Sequence, residues 1–297
     1  MELIINENKI DIDGIREETA SKSPLIHCIT NPISINDCAN TVLLTGAKPI
    51  MAEHPDEVAE ITGIADALAV NLGNITDARL KSIRIAADTA AKRNIPSIID
   101  MVGITCSSLR LSYAKRYLDD FTPSIIKGNL AEIKALCDRQ FCSIGIDAVS
   151  GYNISKEDCE LVMSLAASRG CVVMATGQMD LISDGTRVFL IKNGTGKLAL
   201  ITGTGCMLNV LTASFLPATA SFSRTPVDAA ASASRTPVDA AVTANLMLGI
   251  CGEIADHRTE LMGLGSFHIA LLDELSRVTT RDLCESADVI CSTARSI

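Results

Sequence analysis

Tryptophan is absent from the 297 residues, and only three Tyr and six Phe are present. So few rings leave little aromatic surface for stacking bases, and a core of Ala, Ile, Leu, Val and Met suits helices packed on a parallel sheet. Lys and Arg are scattered and the formal net charge is −9, which argues against a nucleic-acid backbone as partner. No CxxC pair occurs, and His27, His54, His257 and His268 lie far apart, so zinc-type ligand spacing is missing. Nor is there a run of 18 purely apolar residues. The most apolar candidate, from Met207, is broken by Asn209, Thr212, Ser214 and Pro217, and no membrane span is expected. Residues Met1 to Gly14 lack the basic start and apolar stretch of a signal peptide, so the chain is expected in the cytoplasm with its eleven Cys reduced.

What is present is apolar: 47% of residues are hydrophobic, enough for a substantial core and for one domain spanning residues 1–297. Short apolar runs at Leu25 to Ile29, Ala67 to Asn71, Ser97 to Asp100, Ser124 to Ile126 and Cys171 to Ala175 read as strands. Helical spacing fills the gaps, at Ile75 to Arg93 and, after a Ser cap, at Ser155 to Arg169. That rhythm predicts an α/β fold, with a mainly parallel central sheet flanked by helices in three layers. Asp184-Gly185 between Leu181-Ile182 and Val188 to Ile191 predicts a hairpin after the last parallel strand, and the C-terminal third reads as largely helical.

SRTPVDAA occurs twice, at Ser223 to Ala230 and Ser234 to Ala241, an offset of eleven residues. Each copy carries Thr-Pro then Asp, a helix-start signal. Only one start is needed for the helix running through Val242 to Asp256, so the other copy reads as an exposed insertion.

The segment richest in chemistry is Ile201 to Val210, where Gly203 and Gly205 allow a tight turn before an apolar helix. A helix start offers unpaired N–H groups and a positive dipole to an anion, although a Gly-rich turn alone is equally compatible with a plain helix entry. Asp100 ends a predicted strand, Lys127-Gly128-Asn129 follow another, and Thr176-Gly177 follow a third. In open α/β sheets such carboxyl ends face one crevice. Glu132 falls on the first turn of the next helix, where it either stabilises the helix or joins Asp100 in holding Mg²⁺.

Four ordered segments, His27 to Val58, Lys127 to Ile133, Ala175 to Gly185 and Ile201 to Leu208, resemble the motifs of hydroxyethylthiazole kinases. That resemblance implies a ribokinase-like fold, ATP as phosphoryl donor, Mg²⁺, and a homotrimer with active sites between subunits. Residue by residue, it implies substrate contacts at Asn31, Met51 and Gly203, with Asn31 and Met51 approaching the glycine turn of an adjacent chain. It implies ATP contacts at Lys127, Thr176 and Gly205. Three positions depart from the family pattern: Lys127 stands where Arg is common, Met101 where Pro is usual, and Asn74 where Thr often follows the glycine.

Cys206 stands where many ribokinase-like enzymes carry a basic Asp, as in the thiazole kinases. A thiol at a helix N-terminus is expected to have a lowered pKa and to accept the alcohol proton or orient the hydroxyl. Because phosphoryl transfer passes through a loose transition state, positioning matters more than a strong base. The implied reaction is phosphorylation of 4-methyl-5-(2-hydroxyethyl)thiazole. The alternatives are a related kinase for a hydroxymethylpyrimidine and a non-catalytic sensor that keeps the pocket.

Overall fold

The computed structural model describes residues 3–5, 8–137, 154–219 and 235–293. Strands β1 (Leu3–Ile5) and β2 (Asn8–Ile10) pair antiparallel ahead of α1 (Ile12–Lys22), where the Asp11 carboxylate accepts the Gly14 N–H. Then come β3 (Leu25–Ile29), a 3-10 turn (Pro32–Ser34), α2 (Ile35–Leu44), β4 (Lys48–Ile50) and α3 (Val58–Ile64). The middle of the chain supplies β5 (Ala67–Asn71), α4 (Asp77–Arg93), β6 (Ser97–Asp100), α5 (Ser108–Asp120), β7 (Ile125–Asn129) and α6 (Leu130–Leu136). Next are α7 (Lys156–Arg169), β8 (Val172–Thr176), β9 (Asp180–Ser183), β10 (Arg187–Ile191) and a 3-10 turn (Gly196–Leu200). The chain ends in α8 (Thr204–Phe215), α9 (Pro237–Arg258), α10 (Leu264–Arg277), α11 (Thr280–Ser286) and β11 (Val289–Thr293).

Nine strands form one sheet in the order β11-β10-β9-β8-β7-β6-β5-β3-β4. The stretch from β4 to β8 is parallel and the β8–β11 edge is antiparallel. Helices α1, α2, α8, α9 and α10 bury their apolar residues on one face, and α4, α5, α6 and α7 on the other, which completes the three expected layers. Strand order reverses between β3 and β5, because the chain leaves β3 for β4 on one side and then returns to β5 on the other. Such a switch point opens a crevice outside the carboxyl ends of the strands.

Local signals explain several boundaries. The Thr76 hydroxyl accepts the Arg79 N–H and starts α4 at Asp77, two residues inside the expected range, and Ser155 caps α7 as predicted. The 180–191 hairpin forms with Gly185 at φ +89°. Strand β7 runs further than its apolar residues suggest. Lys127, Gly128 and Asn129 lie inside it, paired with Met174, Ala175 and Thr176, instead of following it.

The second octapeptide copy starts α9: Pro237 occupies the first turn, and the Thr236 N–H donates to the Asp239 carboxylate at 2.6 Å. Residues Ser223 to Ala233, the first copy and the three residues after it, lie outside the described residues. Helix α9 is long and apolar enough to cross a membrane by length and composition, but 89% of its most apolar window is buried inside the protein, which suits a core helix.

Candidate active site

Alternation along the parallel strands builds the floor of the site. Ala67 and Ala69 of β5, Ile98 of β6, Ile125 of β7 and Met174 of β8 face the α8–α9 layer. The next residue on that face of β5, β6 and β7 is polar: Asn71, Asp100 and Lys127. Strand register aligns them, with Asn71 opposite Asp100 and Asp100 opposite Lys127, so three buried polar side chains form one row across three strands.

The row is hydrogen-bonded within itself. Lys127 Nζ donates to Asp100 Oδ2 at 2.8 Å, and Asn71 Nδ2 donates to the same oxygen at 3.1 Å. Asp100 Oδ1 accepts the Val102 N–H at 3.2 Å. Burial is the largest single influence on Lys127 and works to lower its pKa, but the charge and hydrogen bond of Asp100, helped by Cys206 and Glu132, together hold the ammonium above its ordinary value. Glu132 sits beside the row in the capping box of α6. Its Oε2 accepts the Asn129 N–H and its Oε1 accepts the Gly103 N–H, each at 2.7 Å. The helix-stabilising job considered from sequence is therefore real. Burial, and then the Asp100 charge, push the Glu132 carboxyl up to about 7.

Helix α8 descends on this floor from the glycine turn. Gly203 is its N-cap at φ +96°, and a Cβ there would lie 3.1 Å from the Ser34 Cβ, so both conformation and space call for glycine. Lys127 Nζ lies 3.6 Å from where a Cβ on Gly205 would be, placing the ammonium directly under the turn. Cys206 is the third residue of α8, its sulfur 3.4 Å from Asn71 Nδ2 and in hydrogen-bonding contact with Ser34.

The thiol corrects one expectation. Burial first, and the Asp100 charge second, hold its pKa above the ordinary value, against the opposing effects of Ser34, Lys127 and Asn71. A lowered pKa was expected from the helix N-terminus, but loss of water next to a carboxylate outweighs that field.

The remaining predicted residues lie around this centre. Asn31 precedes the 3-10 turn and accepts the Ile33 N–H, and its amide would crowd any side chain at Gly73. The segment from Asn31 to Asp37 thus meets the glycine turn of its own chain, through Ser34 on Gly203. Met51 follows β4 and packs partly buried against the core on the α8–α9 side. Thr176 ends β8, where its hydroxyl donates to the Gly128 carbonyl at 3.3 Å. Asn71 and Ser34 belong to this centre and were not singled out from sequence. Asn71 was visible as the last residue of a predicted strand, but only the register brings it beside Asp100.

Comparison with known proteins gives a consistent result. The model of the hydroxyethylthiazole kinase family matches residues 17–281. Hydroxyethylthiazole kinase 2 of Clostridium botulinum strain Hall is 45% identical over 89% of this chain and 94% of its own length. Hydroxyethylthiazole kinase of Ruminiclostridium cellulolyticum is 36% identical over 96% and 99%. Among solved structures, the hydroxyethylthiazole kinase protein of Pyrococcus horikoshii superposes with a TM-score of 0.79 at 29% identity, covering 95% of this chain and 98% of that one. Staphylococcus aureus pyridoxal kinase in complex with AMP-PCP shares the fold alone, with a TM-score of 0.56 at 12% identity over 91% and 98% of the two chains. A family model matched over residues 17–281, with relatives this similar over nearly their whole length, means that the chain belongs to the hydroxyethylthiazole kinase family.

Proposed function

We propose that the chain transfers the γ-phosphoryl group of ATP to the hydroxyl of 4-methyl-5-(2-hydroxyethyl)thiazole, a step of thiamine biosynthesis, and that the Asn71–Asp100–Lys127 row beneath the α8 N-terminus is its chemical centre. The observation that carries this reading is the stacking of three complementary elements. A buried ammonium lies under a glycine turn, a helix start opens above it, and a thiol sits at the junction. Lys127 and the first N–H groups of α8 receive the transferring phosphoryl charge, with Gly205 allowing close approach and Thr176 bordering the ATP side. Asn31, Met51 and Gly203 bound the thiazole side. Cys206 meets the acceptor hydroxyl. With its pKa raised, it serves as an uncharged group that aims the hydroxyl more than as a strong base, and in-line geometry supplies most of the acceleration.

The donor set fits Mg²⁺ held largely by water and phosphate oxygens. Both Glu132 oxygens already accept backbone N–H groups, Asp100 already serves Lys127, Asn71 and Val102, and each oxygen keeps only residual lone-pair capacity. Among the described residues no cluster of three or more His, Cys, Asp or Glu could cage a metal alone. When bound, Mg²⁺ supplies charge neutralisation at the phosphate oxygens. Asp100 and Glu132 would hold its water shell.

A homotrimer with inter-subunit sites is part of the proposal. Exposed apolar side chains support it: Ile33, Leu200, Leu261, Met262, Leu264 and Ile269. Several of these sit on packed neighbours, since α10 contacts both α2 and the 196–200 turn. The ten described cysteines are all free, which suits the reducing cytoplasm.

A panel of small primary alcohols, assayed for ATP-dependent phosphorylation with and without EDTA, tests the assignment. The thiazole alcohol should give the highest kcat/KM, and chelation should abolish turnover. Preference for a hydroxymethylpyrimidine, or no turnover in a single-turnover assay, would overturn it.

A further inference from the structure

Asn71 is buried, polar and fully engaged, and the phosphoryl-transfer reading places it in the central row without a task of its own. Its Oδ1 accepts the Gly73 N–H at 2.8 Å, while Nδ2 donates to Asp100 Oδ2 and to Cys206 Sγ. A backbone N–H can only donate, so the Gly73 contact assigns the oxygen side of the amide and turns both amide hydrogens toward Asp100 and Cys206. The orientation is locked. A Cβ at Gly73 would lie 2.8 Å from Asn71 Oδ1 and 2.6 Å from Asn31 Nδ2, so the loop after β5 closes on the amide without room for a side chain. Register with β6 fixes the backbone beneath it.

We propose that Asn71 is a positioning residue: its two amide hydrogens tie the Cys206 sulfur to the Asp100 carboxylate and leave the open face of the sulfur directed at the acceptor hydroxyl. The inference rests on Cys206 being the group that meets that hydroxyl. No other side chain of similar size does both jobs. Ser is too short to span sulfur and carboxylate, Asp adds a further negative charge beside Asp100, and Leu leaves the sulfur without an inner partner. Sulfur is a weak acceptor, so the contact contributes direction more than energy. Direction matters here, because a misplacement of about 1 Å can cost on the order of 100-fold in rate.

The experiment compares Asn71→Leu with the wild-type enzyme, with Asn71→Ser as a second variant should the first fail to fold. Turnover should fall about 30-fold to 100-fold while KM for ATP and for the thiazole alcohol each move by less than about 3-fold. Alkylation by iodoacetamide, followed by mass spectrometry on the Cys206 peptide with exposed Cys106 as internal reference, should slow several-fold at fixed pH. A donor to sulfur favours the reactive thiolate, and its loss disfavours it. In a Cys206→Ala background, adding Asn71→Leu should cost less than about 3-fold further, since the two act as a unit. A loss carried by KM, an unchanged Cys206 alkylation rate, or full additivity would overturn the proposal. Full activity of Cys206→Ala would overturn the underlying role of Cys206. The alkylation rates would then show whether the Asn71 contact exists regardless, which separates the two failures.

Discussion

The strand-end floor and the glycine-turn rim of the site are built on opposite plans. On the floor, Asn71, Asp100, Lys127 and Glu132 are buried and partnered within one chain, on three registered strands and the helix that follows the last of them. Around the rim, Ile33, Leu200 and Ile269 are exposed apolar residues on short turns and one helix face. A single chain therefore finishes the machinery for charge but leaves apolar side chains exposed around the rim. In the proposed trimer this difference becomes a division of labour, one chain handling phosphate and assembly completing the pocket for the alcohol.

Breaking the floor should have the largest effect. Lys127→Met leaves Asp100 buried without its cation, and removing one member of a buried pair costs about 3–5 kcal/mol. Denaturant unfolding should show that loss, and any folded fraction should have lost more than about 100-fold in turnover. A floor that tolerates Met would erase the contrast with the rim. Next in size is the thiol: Cys206→Ala should lower kcat by about 100-fold with little change in KM, whereas Cys206→Asp should keep substantial activity. Unchanged turnover in the Ala variant would remove Cys206 from the reaction.

The rim is sharpened by charge. The double variant Leu200→Asp, Ile269→Asp should dissociate the assembly in sedimentation and raise KM for the thiazole alcohol about 10-fold or more, while ATP binding measured by calorimetry changes by less than about 3-fold. If ATP binding collapsed with it, floor and rim would not be separable.

A smaller effect concerns acid. His27 Nε2 lies 2.9 Å from the Ala52 carbonyl, which can only accept, so Nε2 carries a proton; the Thr62 hydroxyl, 2.8 Å from Nδ1, donates to it when the ring is neutral. Burial lowers the His27 pKa from 6.5. The folded state then favours the neutral ring, so its contribution is present above 6.5 and is lost as pH falls through the folded value. Wild type should lose stability from this group as pH falls below about 6.5, and His27→Gln should show a flatter profile there. Smallest of all, deleting the eleven residues Ser223 to Ala233 should leave assembly and turnover within about 2-fold, because Thr236-Pro237 still starts α9.

Much of this plan was legible in the sequence for definite reasons. The long crossover helices and the core strands announce themselves by period and by caps such as Ser155, and the hairpin by Asp184-Gly185. Strands β1, β2 and β4 are three residues each, too short for any period to show, and β11 is a half-exposed edge strand with mixed composition. Within the site, Asp100, Lys127 and Cys206 stood out by residue type and position. Asn71 and Ser34 did not, since an amide at a strand end and a hydroxyl in a turn acquire meaning only once register and helix packing set them against the thiol. The sign of the Cys206 shift was likewise hidden, because it depends on how much water the fold removes.

Helix α9 carries a consequence for how the chain is made. Sixteen of its 22 residues are buried, and they draw cover from α8 before it and from α10 after it in the chain. A ribosome delivering residues in order releases this greasy cylinder, about 33 Å long, before its second cover exists. Until residues 264–277 emerge, the nascent chain exposes an apolar surface that the folded protein covers, the kind of surface that makes folding intermediates prone to aggregate. Strand β11, which follows α11 in the chain, then pairs with β10. Translation speed through the codons for residues 259–277 is thus expected to affect the yield of native enzyme.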